Sequence, residues 1–166
     1  MNSEGSKLRN DRFGIKACPQ PGSTVAYTAG DLIGTKMTYD DVVPNDYGGG
    51  SIKSVTILDF NKQDKALDLL FFAEDLASGT GAGTNWATGD NAALDVASSD
   101  LVNCIGVVSI GTGDYSAFND NGVATVETDI PFYVRGKNLY GLMVARGTPA
   151  FESASCLYTR IGIERD

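Results

Sequence analysis

From Phe13 onward, turn-forming residues interrupt the chain at intervals of roughly 8–12 residues, the spacing of an all-β sandwich or barrel. The breakers are strong. Pro19-Gln20-Pro21-Gly22, Pro44-Asn45-Asp46, Gly48-Gly49-Gly50 and Asn121-Gly122 each favour a turn over continued regular structure. Glycine supplies 20 of the 166 residues without a three-residue period, so it serves turns rather than a fibre. Apolar residues make up 42% of the chain, which is enough to build a core and argues against wholesale disorder.

Between the breakers the pattern is extended. Residues 24–28 form a short strand candidate, and 32–43 a second extended run closed by the Pro44 and Gly48 breakers. Residues 51–60 alternate most clearly, with Val55 and Ile57 set against Ser54 and Thr56. A polar connection over 61–65 leads to a return strand over 66–72, and the two read as a β-hairpin with a longer loop. The return strand holds Leu67, Leu69, Leu70, Phe71 and Phe72. It is apolar on both faces, so it must be covered twice, by the core and by another layer or a subunit. A helix over 65–76 competes, because Ala, Leu and Glu favour helices; the hairpin context favours the strand.

A glycine- and threonine-rich loop over 78–91 carries Trp86. The one good helix signal follows: Ser98 or Ser99 as cap, Asp100 in the first turn, Leu101, Cys104 and Ile105 on one face, and Gly106 as the stop. Further strands are predicted over 107–110, 124–134, 139–146 and 156–165. The third-from-last of these sets Val126, Ile130 and Phe132 against Glu127 and Asp129. The last turns Leu157, Ile161 and Ile163 inward and Tyr158, Arg160 and Glu164 outward. Strands do not alternate with long helices, which disfavours a parallel sheet. The fold class is therefore all-β: a jelly-roll-like antiparallel β-sandwich with one short helix. Residues 14–166 form a single domain and residues 1–13 an extended N-terminal arm.

Charge and composition exclude several functions. Acidic residues outnumber basic ones 21 to 13, a net charge of −8, which argues against nucleic acid or an anionic membrane surface as partner. No apolar run is long enough to span a membrane, and the polar N-terminus argues against export by a signal peptide. Histidine is absent, which removes Ser-His-Asp triads, Cys-His dyads and histidine-ligated metals. Cys18, Cys104 and Cys156 are odd in number and widely spaced, and are read as buried reduced thiols.

The remaining motifs are weak. Gly79 to Thr84 resembles a phosphate loop, yet the dinucleotide spacing fails at Thr84 and Trp86 and no Walker lysine follows. Asp40, Asp41 and Asp46 lack the spacing of a calcium loop. Two carboxylates can hydrolyse a glycoside without histidine, but no pair stands out. Tyr39, Tyr47, Trp86 and Tyr115 are candidates for an aromatic sugar-binding face. No catalytic, cofactor or metal residue is assigned, and the chain is read as a non-enzyme.

One resemblance gives direction. The order of "ALDLLFF", a glycine-rich loop, "DLVNCIGVVSI", "DYSAF", "LYGLMVARGTPAF" and "LYTRIGIERD" resembles jelly-roll capsid decoration, or cement, proteins of tailed bacteriophages. The resemblance runs from about residue 50 to the C-terminus and rests on packing and turn motifs rather than catalytic ones. It implies a homotrimer on the outer capsid surface, assembled in the host cytoplasm, that clamps neighbouring major capsid protein subunits without a cofactor. It also implies an arm that docks on the shell, for which Leu8, Arg9, Arg12 and Phe13 are the candidates. The alternatives are a carbohydrate-binding β-sandwich module of a phage surface or tail structure and, further off, a carboxylate-dependent glycosidase.

Overall fold

The computed structural model describes residues 12–22, 24–76, 89–153 and 156–166, and of Arg12 the backbone alone. The strands are β1 (Arg12–Ala17), β2 (Met37–Tyr39), β3 (Gly48–Asp59), β4 (Leu67–Phe72), β5 (Cys104–Ile110), β6 (Tyr115–Phe118), β7 (Asn121–Val134), β8 (Leu139–Ala145) and β9 (Leu157–Arg165). They form a five-stranded sheet in the order β1-β9-β3-β7-β6 and a four-stranded sheet in the order β2-β8-β4-β5. Every pairing is antiparallel.

With β6 set aside, the eight remaining strands pair from the outside inward: β1 with β9, β2 with β8, β3 with β7 and β4 with β5. That nesting is one long antiparallel ribbon folded over on itself, and it yields the two four-stranded layers of a jelly roll. The strand β6 is an addition, joined to β7 through Asn119 and Asp120. Asn119 takes the left-handed conformation of this tight turn, with φ 57°. The expected turn at Asn121-Gly122 thus falls two residues late, and both residues belong to β7.

The predicted hairpin over 51–72 is not formed. β3 and β4 lie in different sheets, and the connection crosses from one layer to the other. Its pivot is Asp59, 2% exposed. Its carboxylate accepts N–H bonds from Asn61 (3.0 Å), Gln63 (2.7 Å) and Asp64 (2.9 Å). Lys62 and Asp64 both turn through φ 48°. This local network redirects the chain where a hairpin loop would have returned it to its neighbour.

Three further expectations change. Gly48, Gly49 and Gly50 do not break the chain but begin β3. A Cβ on Gly50 would collide with the carbonyl oxygen of Glu164 and lie 3.2 Å from the Cα of Arg165, so glycine here lets two backbones close up. The helix is a single turn, α1 (Ser98–Leu101), with Leu101 exposed. Cys104 and Ile105 belong to β5, where pairing with β4 outweighs the local cap signal. The stretch 24–28 is loop, and within 32–43 only Met37–Tyr39 is a strand.

The main core fills the space between the sheets. Ile52, Val55, Ile57, Leu157, Ile161 and Ile163 of one sheet meet Leu67, Leu69, Phe71, Leu139 and Met143 of the other. Tyr39 spans the gap, and its hydroxyl lies 2.7 Å from Thr159 Oγ1. A second cluster of Leu32, Phe72, Leu76 and Leu142 covers the outer side of the four-stranded sheet, backed by Leu70, Leu94 and Val96. This is the second cover that the doubly apolar β4 requires. The chain supplies it itself, through the bridges Asp31–Ala93 and Leu32–Val144, without a neighbouring subunit. Among the described residues no helix is long and apolar enough to cross a membrane.

Candidate functional site

The outer side of the five-stranded sheet is not covered in this way by the described residues and carries a groove of about 560 Å³. Strand alternation builds it. Ile15, Val55, Ile57, Ile161 and Val126 point to the core, so their sequence neighbours point outward. Register then sets them in rows. One row runs Lys16, Arg160, Thr56, Thr125 across β1, β9, β3 and β7. The next runs Gly14, Gly162, Ser54, Glu127 across the same strands. Neighbouring strands are about 4.8 Å apart, so each row spans the groove from rim to rim.

Two facing glycines shape the groove floor. Gly14 and Gly162 are paired residues, and the space their side chains would take is occupied by the Arg160 guanidinium and the Ser54 hydroxyl. The Arg160 guanidinium lies across Gly14, where an added Cβ would sit 2.7 Å from its Nη2. One wall is apolar, at Leu58. On the other side β3 is irregular between Ile52 and Ser54 against both of its neighbours. Such bulges re-aim side chains, and here Lys53 reaches Asp129 with Nζ 2.7 Å from Oδ1. That ammonium holds the Asp129 carboxyl below the usual carboxylate range. The side chains of Lys16, Arg160 and Glu127 have no ion-pair partner among the described residues.

The arm candidates divide. Leu8 and Arg9 lie outside the described residues. Arg12 and Phe13 are the first residues of β1, opposite Glu164 and Ile163 at the edge of the five-stranded sheet. The Phe13 ring packs on the core, beneath the Arg165 guanidinium, whose carbon is 3.9 Å from the ring centre. Arg165 in turn donates to the carbonyls of Val42 (2.9 Å) and Asp41 (2.6 Å). Phe13 therefore anchors β1 to the body.

Among the described residues the proposed aromatic face is not assembled. Tyr39 is fully buried, and burial pushes its hydroxyl well above the usual phenol range. Tyr47 is exposed at 68% and Tyr115 is half-buried. Tyr115 donates to the Lys65 carbonyl (3.1 Å), and burial, with Asp59, Asp64 and Asp114 nearby, raises its pKa. Trp86 and the loop Gly79 to Thr84 lie outside the described residues. Asp41 turns the chain through φ 53°. Among the described residues no group of three or more Asp, Glu or Cys side chains gathers to hold a metal.

All three cysteines are free. Cys18 is half-buried and donates to the Leu157 carbonyl (3.2 Å), and burial pushes its thiol up. Cys156 is buried beside Ser153 Oγ (3.0 Å). Cys104 is half-buried in β5, not on a helix.

The groove was not foreseen from sequence. Arg160 and Glu127 were read as outward-facing, but only register brings Lys16 beside Arg160. The usable signal is faint: in "FGIK" and "RIGIE" a glycine and a cation occupy alternate positions of one strand face.

No known protein-family profile matches the chain, and no curated protein sequence matches it. Among solved structures it is similar to a chain from the X-ray structure of tomato aspermy virus. The TM-score is 0.39 and the identity 10%, over 99% of this chain and 81% of that one.

Proposed function

We propose that this chain is a non-enzymatic structural virion protein, a decoration protein that binds the outer surface of a phage capsid as a homotrimer and clamps neighbouring major capsid protein subunits. One observation carries the reading: residues 1–11 join the jelly roll through β1, at the open edge of the five-stranded sheet. A chain segment rooted there starts from the rim of the sandwich, beside a row of backbone groups that have no sheet partner among the described residues and are suited to strand addition. Leu8, Arg9 and Arg12 would contact the shell, and Phe13 would fix the root of the arm. Several linked contacts on adjoining subunits multiply in effect, so a small protein can add large cohesion. The acidic body keeps the particles soluble, while the arm, with Lys7, Arg9 and Arg12 against Glu4 and Asp11 over residues 1–13, is slightly basic and meets an acidic partner.

The test is co-sedimentation with purified phage capsid shells, comparing the full chain with one lacking residues 1–11. The expected result is saturable binding that truncation weakens at least tenfold. Absence of saturable binding to any shell would end this reading. A second reading, a carbohydrate-binding module, is favoured by the polar groove on the outer sheet face, in place of the aromatic platform.

A further inference from the structure

We propose that the groove binds an acidic saccharide, its carboxylate held between Arg160 and Lys16 and its hydroxyls bonded to Glu127, Ser54 and Thr56. The inference rests on the carbohydrate-binding reading and is independent of shell binding.

The first argument is the cation pair. Lys16 and Arg160 are direct cross-strand partners, and like charges placed opposite each other destabilise a sheet. Neither side chain has a counter-ion among the described residues, although the protein as a whole carries a charge of −8. Two adjacent cations retained in an acidic protein at an energetic cost mark a place where local consistency yields to function. A single carboxylate bridges them, and the planar arginine fork matches its two oxygens.

The second argument is shape. The glycines at 14 and 162 let two polar side chains lie flat on the groove floor, the Arg160 guanidinium across Gly14 and the Ser54 hydroxyl across Gly162. A volume of about 560 Å³ falls within the range of small-molecule sites, roughly 300–1,000 Å³. Leu58 offers an apolar wall for the CH face of a sugar ring.

The third argument is the other end of the groove. Lys53 is already neutralised by Asp129, so the positive charge is confined to Lys16 and Arg160. Glu127 closes the row beyond Ser54. Its carboxylate has no ion-pair partner among the described residues, and there it repels a polyanion and accepts hydroxyl bonds. One anionic group at one end and hydroxyls at the other describe a uronic- or sialic-acid unit, not a phosphate chain.

The experiment is isothermal titration calorimetry of the full chain with digalacturonate and sialyllactose, alongside neutral lactose and sodium sulfate. We expect saturable binding of an acidic sugar, at least tenfold tighter than lactose or sulfate. Arg160→Gln and Lys16→Gln should each weaken it tenfold or more, and Glu127→Gln at least threefold. Gly14→Val displaces the Arg160 guanidinium from its seat on the glycine without changing charge and should also weaken binding tenfold or more, while Lys36→Gln, beside the other sheet, should leave it unchanged. Equal binding of lactose would overturn the acidic preference and keep the glycan reading. Binding of sulfate as tight as that of the sugars would reduce the site to a simple anion trap and overturn the inference. Absence of binding by all four probes would end both.

Discussion

The hydroxyl pair that joins the two sheets, Tyr39 with Thr159, makes a prediction in which the sign of an effect reverses. Both residues are fully buried. Thr159 Oγ1 donates to the Ala17 carbonyl at 3.1 Å. Its single proton is thereby committed, so Tyr39 must donate to Thr159 across their 2.7 Å contact. Removing only the tyrosine hydroxyl, in Tyr39→Phe, loses one buried bond and leaves an acceptor that still has a role; the cost is about 1 kcal/mol. Removing only the threonine hydroxyl, in Thr159→Val, keeps the volume but strands the tyrosine donor. Its remaining neighbour is the weak acceptor Met37 Sδ, 3.8 Å away. An unsatisfied buried donor costs about 1–3 kcal/mol in addition to the bond itself, so Thr159→Val should lose about 2–3 kcal/mol. In the double variant the stranded group is gone, and apolar groups of similar shape face each other. Tyr39→Phe should therefore stabilise the Thr159→Val background by about 1 kcal/mol, having destabilised the native one. Urea unfolding of the four proteins, at unchanged m-value, measures this cycle. Additivity within about 0.3 kcal/mol would refute the assigned donor order and the bond's isolation from water.

Three further outcomes are expected. Asp90 accepts from Tyr27 Oη (2.7 Å), Gly34 N (2.6 Å) and Gly22 N (2.8 Å); Asp90→Ala should cost about 2–3 kcal/mol, because hydrogen bonds to a charged group are the stronger kind, and thermal unfolding checks it. Leu142→Ala, in the second cluster, should cost about 2–5 kcal/mol like any core truncation, whereas a Leu142 facing solvent would show almost no change on urea unfolding. The titration midpoints of Asp59 and Asp129, followed by carboxyl ¹³C shifts, should be displaced in opposite directions from the ordinary carboxylate value: burial raises Asp59 despite its three N–H bonds, and Lys53 lowers Asp129. The share of stability from Asp59 is then full below the ordinary carboxylate range and lost as pH rises through its raised value, while that from Asp129 is present above the ordinary range and lost as pH falls through its lowered value.

What could be read from sequence was what depends on neighbours along the chain. Alternation places Val126, Ile130 and Phe132 opposite Glu127 and Asp129, and the structure keeps that division in β7. The same holds for Leu157, Ile161 and Ile163 in β9. The need for a second cover over Phe72 was also visible, because a strand apolar on both faces has no solvent side. What failed depends on partners far away. Proximity suggested that β3 and β4 pair, but Asp59 turns the chain into the other layer. Cys104 and Ile105 suit a helix face and a strand equally, and β4 decides between them. Tyr39 looked like an exposed ring, yet a single buried acceptor, Thr159, accommodates its hydroxyl in the core. The groove needed more still: Lys16 and Arg160 meet only once the register of β1 on β9 is known.

The outside-in pairing of the strands has a consequence for how the molecule is made. Among the described residues β1 has its only sheet neighbour in β9, so during synthesis this strand waits until almost the whole domain has left the ribosome. Contacts this distant in sequence are slow to form, because the intervening loop must close before any contact rewards it. The innermost pair, β4 with β5, is nearer in sequence and can begin the ribbon, with β8 and β9 wrapping it later. The element that joins last is also the most readily detached, since it has one partner strand and packs on the core only through the partly buried Phe13, Ile15 and Ala17. Hydrogen exchange should find the amides of β1 opening well before those of β3 or β4, which are paired on both sides. Such a strand gives a newly made chain a short interval in which the edge of β9 is open to another strand.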